Sequence, residues 1–315
     1  MIIYTIIIPH KNIPVLLQRC LDSIPRRDDV QIIVVDDNSD LTQVDFENFP
    51  GLHDPYVEVI FDKNENSRKG AGYARNVGLE RVEGKWIIFA DADDFFTPEF
   101  PDLINEYRDT DYDIVFFMTR SVYSEDIDRI TNRDYNNIRI NSFLKKPSLM
   151  TEKQIRYGIC EPWGKMIRAS LIIDNNIRFE ESSVANDFRF SLEIGHVAKT
   201  ICAEKEPLYI VTHRDNSLSS QDLSYQIIRA RMHIFNRAQT FFKQNNLPVT
   251  RQHFSYTMMW LLRKKTVWFF RICGTLIKED KKNVLNIIDS FRIIPKMVKE
   301  KLNVKNHIPD SEKKK

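Results

Sequence analysis

No two of the four cysteines in this 315-residue chain stand at CxxC spacing; Cys20, Cys160, Cys202 and Cys273 lie scattered. That pattern offers no zinc site and predicts a reduced, cytoplasmic protein. The N-terminal stretch MIIYTIIIPHKN has neither a basic start nor a small-residue cleavage site, so no secretory leader is expected there. Glycine is scarce at 9 residues, and none stands in PHKNIPVLL, after the first apolar run. A nucleotidyltransferase, which wants a glycine-rich, lysine-bearing phosphate loop at that point, is thereby disfavoured. Long hydrophobic runs are missing too: in WLLRKKTVWFFRICGTLI, residues 260–277, charge interrupts before a bilayer could be spanned. There is no internal repeat, and no low-complexity segment beyond the terminal SEKKK.

What is present is ordinary in bulk and uneven in detail. A composition 42% hydrophobic and 29% charged suits a folded globular protein, and the length allows one large core or two modest ones. The net charge of +2 hides an asymmetry: residues 261–315 carry 15 Lys and Arg against 6 Asp and Glu, leaving 31 against 38 in residues 1–260. The basic end is also rich in large apolar side chains, which suits a membrane surface. A packed helix with a solvated basic face explains it equally well, and the sequence leaves both open. No nucleic-acid partner is expected.

The first half alternates β-rich runs with helical spacing. Runs at 4–9, 30–37, 56–62, 85–91 and 112–118 are separated by stretches such as IPVLLQRCLDSI and GAGYARNVGLERV, whose apolar periodicity is that of amphipathic helices. This predicts an α/β fold with a mostly parallel central sheet flanked by helices. In such sheets ligands bind at the carboxyl ends of strands. Polar residues gather there: Pro9, His10 and Asn12 after the first run, Asp36 and Asp37 after the second, Asp91 to Asp94 after the fourth. The catalytic core is placed at 1–215 and a helical, basic C-terminal region at 216–315.

The fourth strand end, WIIFADADDFFTPEF, sets the chemical question. Asp91, Asp93 and Asp94 put three carboxylates at the end of an apolar run. Like charges so close must be solvated or neutralised by a cation, and a divalent metal is the usual one.

Four blocks in order, TIIIPHKN, IIVVDDNSD, GAGYARNVGLERVEGKWIIFADADDFFTPEF, and EPWGKMIRASLI with VANDFRFSLEI and EPLYIVTHRDNSLS, resemble the family 2 glycosyltransferases of GT-A fold, especially those of bacterial capsule and surface polysaccharide assembly. The resemblance covers residues 2 to about 220. It implies a nucleotide-sugar-binding fold and a metal-dependent, inverting hexosyltransferase using Mn²⁺ or Mg²⁺. Donor and acceptor would be a UDP-sugar and a glycan or lipid-linked acceptor, at the inner membrane face. A catalytically inactive nucleotide-sugar-binding or scaffold protein is the alternative, because Asn186 stands where that family commonly has the first acid of a pair.

By the resemblance, Asp93 ligates the metal and Asp91 faces the ribose or the metal's water shell. Asp37 accepts from the nucleobase, while Asp36 lies by the ribose or supports the turn; in DDNSD one of the two can serve only as a turn former. Arg75 lies near the nucleotide or anchors the acidic loop through a carboxylate. Asp187, at the start of NDFRFSLEIGHV, is the candidate base, or an N-cap. Trp163 stacks on an acceptor sugar, or is a buried core residue. His213 completes the metal shell or approaches the diphosphate, with Arg214 beside it, or is a hydrogen-bonded loop histidine.

Overall fold

The computed structural model describes residues 1–62, 70–182, 184–214, 224–247 and 253–289. The chain divides into two compact units, Met1–Asp222 and Leu223–Lys315. The break falls a little beyond the expected 215.

The first unit is built on an eight-stranded sheet of order β3-β2-β1-β4-β7-β6-β8-β5. Its strands are β1 (Tyr4–His10), β2 (Val30–Asp37), β3 (Val57–Asp62), β4 (Trp86–Phe89), β5 (Phe95–Phe96), β6 (Ile114–Tyr123), β7 (Lys165–Arg168) and β8 (Ile201–His213). β1 pairs in parallel with β2 and β4, and β2 with β3. β7 is antiparallel to both β4 and β6, so those two run the same way, and β8 runs parallel to β6. Of these strands, β7 and the short β5, antiparallel to β8, run against the rest.

Strands buried on both faces need apolar residues at every position rather than at alternate ones, which is why YTIIIP and IIVV read as continuous runs. Ile6 and Ile8 point into one apolar layer with Leu17, Cys20 and Ile88, while Ile7 enters the opposite layer with Ile87, Phe89 and Phe116. Helix α1 (Pro14–Asp22) starts with proline at its first turn, where a missing N–H costs nothing. It is followed by α2 (Gly70–Leu79), α3 (Phe100–Glu106), α4 (Asn137–Lys145), α5 (Leu149–Gly158), α6 (Ala169–Ile173) and α7 (Asn186–Val197). β4 stops at Phe89, short of the predicted Asp91. The acidic loop begins there with Ala90 donating to the Ile7 carbonyl at 3.1 Å and Asp94 N–H turning back to Asp91 O at 3.0 Å.

The second unit contains α8 (Tyr225–Gln244), α9 (His253–Lys264) and α10 (Thr266–Glu279). Ser224 caps α8 by accepting from Ile227 N–H at 3.3 Å. Part of the apolar set that suggested a membrane-facing tail packs on itself: Met258, Leu261, Phe269, Ile272 and Leu276 are buried with Ile228 and Met232 of α8, while Trp260, Leu262, Val267 and Phe270 stay exposed. Helical periodicity reports that a helix has an apolar face; it does not report what covers that face. Residues 290–302 of that tail lie outside the described residues.

Candidate active site

The carboxyl ends of β1, β2 and β4 converge as the sequence implies, and each end is wired differently. Pro9 and His10 close β1, in register with Val35 and Asp36. His10 is buried, with Nδ1 2.7 Å from Asp36 Oδ1 and Nε2 accepting from the Ile13 N–H at 3.1 Å. The second contact makes Nε2 the unprotonated nitrogen, so Nδ1–H donates to the carboxylate. Asp36 also accepts from Ser39 N–H at 2.9 Å and Ser39 Oγ at 2.5 Å. Burial pushes its pKa up, but these hydrogen bonds outweigh burial and hold it below the usual range. Asp36 is thus the turn-supporting member of the pair. Asp37 is nearly as buried yet less engaged; Lys11 reaches its backbone oxygen at 2.5 Å and its carboxylate only at 3.6 Å. Burial raises its pKa, opposed by Lys11. Asn12, at φ 60, donates its N–H to Ser39 Oγ at 2.8 Å and its side-chain oxygen accepts from Asp40 N–H at 2.7 Å, tying the loop after β1 to the one after β2.

The acidic loop is neutralised largely from within. Arg75 of α2 donates Nη2 to Asp91 Oδ1 at 2.5 Å. Arg214 donates Nε and Nη2 to Asp93 Oδ2 at 3.1 and 2.7 Å. Asp94 Oδ1 accepts the Thr212 N–H at 2.7 Å. Burial raises the pKa of Asp91, offset in part by Arg75, and raises that of Asp94 further with the help of Asp93 and Asp91. Even so, one oxygen from each of Asp91, Asp93 and Asp94 lies within 4.8 Å of the others, and no other group of three such ligands occurs among the described residues. Three hard oxygen donors fit Mg²⁺ or Mn²⁺.

His213 is not part of that group. Its ring packs edge-on to Tyr123 at 5.4 Å, on the neighbouring strand β6. The residues on either side of it, Thr212 and Arg214, bond the Asp93 carbonyl and carboxylate. The expected metal role of His213 thus finds no support in that three-carboxylate group, and its neighbour Arg214 holds the contact to Asp93.

Arg75 extends the cluster to the second half of the unit. Its Nη1 donates to Asn186 Oδ1 at 2.9 Å, so one guanidinium spans Asp91 and the first turn of α7. Gly72 makes that approach possible: a Cβ there would collide with the Glu180 carbonyl and sit 2.8 Å from Asn186 Cβ. Asp187 is next on α7, at a helix entered through Ala185 in the left-handed region (φ 50) with no side-chain cap. The capping role is therefore ruled out. Burial and the nearby Glu161 raise the Asp187 pKa to about 6, against the pull of Arg75. Glu161 is held by Tyr135 Oη at 2.5 Å and Asn136 Nδ2 at 2.8 Å.

Trp163 is only 8% exposed and lies parallel to Tyr209 at 5.7 Å between centroids. Its face is taken by the core, so the sugar-stacking expectation is replaced by the buried one. Tyr209 in turn accepts the Asp91 N–H on its hydroxyl at 2.8 Å. Sequence reasoning missed Tyr209, Glu161 and two arginines. Arg19 donates Nη2 to Asp93 O at 2.6 Å and Nη1 to Ser124 O at 3.0 Å. Arg133 donates to Thr212 O at 2.8 Å, and its charge favours ionisation of Asp91 and Asp94. The signal for Arg19 was a lone cation in the apolar helix LLQRCL, and Glu161 and Tyr209 stand in the blocks EPWGKMIRASLI and EPLYIVTHRDNSLS; Arg133 carries none.

The model of glycosyl transferase family 2 matches residues 5–174. The chain is 29% identical over 224 residues to the uncharacterized glycosyltransferase EpsJ of Bacillus subtilis, an overlap of 68% of this chain and 62% of the relative. It is 29% identical over 215 residues to the teichoic acid poly(glycerol phosphate) polymerase of Staphylococcus epidermidis, covering 65% of this chain and 28% of that one. The chain thus spans less than two thirds of either relative. Among solved structures, S. aureus TarS 1-349 in complex with UDP-GlcNAc superposes with a TM-score of 0.58 at 20% identity, covering 95% of this chain and 92% of that one.

Proposed function

The chain belongs to glycosyl transferase family 2 and has the GT-A fold, and from that premise we propose that it moves one sugar, with inversion, from a UDP-sugar to a growing, lipid-linked surface glycan. The observation that supports this reading is the Arg75 bridge, whose guanidinium bonds Asp91 of the acidic loop and Asn186, the residue before Asp187. The donor assignment is supported by the nucleotide sugar bound to the fold neighbour, and the acceptor class by the teichoic acid relative.

In this reading Pro9 and Asp37 line the nucleoside end, with Asp36 fixing the turn beneath it. Asp91, Asp93 and Asp94 would hold a Mg²⁺ or Mn²⁺ ion, which supplies charge neutralisation for the departing diphosphate. Asp187 accepts the proton of the acceptor hydroxyl as that oxygen bonds to the anomeric carbon. The bond from that carbon to the diphosphate breaks with its electron pair, and UDP leaves from the opposite face. A carboxylate with a pKa of about 6 is ionised at neutral pH yet more basic than an ordinary aspartate, which suits that task. Arg75 keeps the two halves in register.

Residence at the cytoplasmic face of the membrane belongs to the same proposal; no helix among the described residues is long and apolar enough to cross a membrane. A screen of nucleotide sugars for thermal stabilisation, with and without Mn²⁺, tests donor binding. Donor consumption that rises with supplied acceptor separates an enzyme from a binding or scaffold protein. Failure of every nucleotide sugar to stabilise the chain would overturn the reading.

A further inference from the structure

We propose that the corner between α4 and α5 is a docking surface for an anionic lipid bilayer, separate from the basic C-terminal region. Residues 144–150, LKKPSLM, are exposed without interruption. Leu149 and Met150 stand 77% and 67% exposed on the first turn of α5, next to Lys145 and Lys146 at the end of α4. On α4 only Ile140 is buried. Ile138, two residues earlier and therefore about 200° around the helix, is 71% exposed on the far side. Bulky apolar side chains at a protruding corner are costly in water, and the lysines beside them supply the charge that an anionic headgroup layer complements. Lys153 adds to that charge, while Glu152 is paired with Arg156 at 2.7 Å.

The corner is firmly built. Ser148 caps α5 in a reciprocal pair with Thr151, accepting its N–H at 3.2 Å and donating its own N–H to Thr151 Oγ1 at 3.0 Å. Asn137 clamps the start of α4 to β6 through both Thr119 N–H and Thr119 O, at 3.0 and 2.8 Å. Its neighbour Asn136 holds Glu161, the carboxylate whose charge acts on Asp187. Nine residues of α4 rise about 13 Å, the length of helix between Asn136, which holds Glu161, and the exposed corner. This complements the lipid-linked acceptor proposed above, but it rests on the corner alone.

The test uses the full chain and vesicles of phosphatidylcholine with and without phosphatidylglycerol. Wild type is expected to sediment with the anionic vesicles and to be partly released by salt. The double variants Leu149→Ser with Met150→Ser, and Lys145→Gln with Lys146→Gln, are expected to bind at least fivefold less, with turnover on a water-soluble acceptor retained. Leu149→Trp should gain emission that shifts to the blue on anionic vesicles and is quenched by brominated lipid. Equal sedimentation of wild type and both double variants, absence of binding by wild type, or a Leu149→Trp signal indifferent to lipid would overturn the proposal. So would a change in oligomeric state of the double variants with vesicle binding intact, which would make the corner a contact between copies. Vesicle binding through the corner without any sugar transfer would leave this inference standing and remove the functional reading instead.

Discussion

Replacing Asp187 with asparagine should make the protein more stable and less active at once. Its carboxyl is raised from 3.8 to about 6 in the fold by burial and Glu161, with Arg75 pulling the other way and Asp91 adding a smaller push. A carboxylate whose folded pKa exceeds its unfolded one penalises the fold above the folded value; the penalty fades as pH falls and is gone below the unfolded value. Two units amount to about 3 kcal/mol at most, and solvent around a half-buried group reduces this to about 1–3 kcal/mol. The Asp187→Asn change removes the charge and keeps the shape, so at pH 7.5 the variant should melt several degrees higher, each kcal/mol being worth about 2–4 °C. The advantage should shrink through pH 6 and vanish near pH 4. Turnover should fall by about 10²- to 10⁴-fold with donor binding nearly unchanged, and the wild-type rate should climb with pH through about 6. Melting curves across pH 4–8, paired with single-turnover rates, read both halves. A variant that is less stable at pH 7.5, or one that retains turnover, would refute the assignment of Asp187 as a charged, half-buried base and turn attention to Glu180 or Glu181.

Asp93→Asn should weaken Mn²⁺-dependent UDP binding with the fold retained, because relief of carboxylate repulsion offsets the lost Arg214 pair; titration calorimetry showing unchanged affinity would remove the metal assignment. Arg75→Lys cannot span Asp91 and Asn186, so it should lower the melting point and the rate together, by about 2–4 kcal/mol in stability; wild-type values of both would show the bridge to be incidental. A chain ending near residue 250 loses α9 and α10 and bares Ile228 and Met232 of α8, so it should aggregate; size-exclusion chromatography showing a stable monomer would contradict the packed unit.

The parts of the site legible in the sequence were those where charge meets periodicity. A carboxylate at the end of a strand buried on both faces has one direction to go, so Asp36, Asp37 and Asp91 to Asp94 could be placed at one sheet edge before any geometry was known. Neighbours at the end of a strand can part company: His213 and Arg214 are adjacent in sequence, yet the arginine pairs with Asp93 while the histidine packs on Tyr123. Trp163 was ambiguous because stacking on a sugar and stacking on Tyr209 ask the same of an indole. The C-terminal helices were ambiguous because an amphipathic face reads alike whether lipid or another helix covers it. Tyr209, Arg133 and Glu161 reach the site from strands and loops far along the chain, through contacts that local sequence does not encode.

The Arg75 seam also bears on how such enzymes can be recombined. The first half is nearly contiguous, from β1 to the acidic loop, and among its links to the second half, which include the Asn76 amide bonded to Phe179 and the pairing of β4 with β7, the Arg75 side chain is the one threaded past a residue that tolerates no Cβ. A chimera that splices the first half of this chain to the second half of a relative would inherit Arg75 and Gly72 from one parent and the α7 entrance from the other. Such a graft is expected to work only where the incoming parent supplies a short acceptor side chain at position 186 and the same backbone path at Glu180. Change within the second half leaves this seam untouched, while exchange of whole halves is held back at it by a fit no larger than a methyl group.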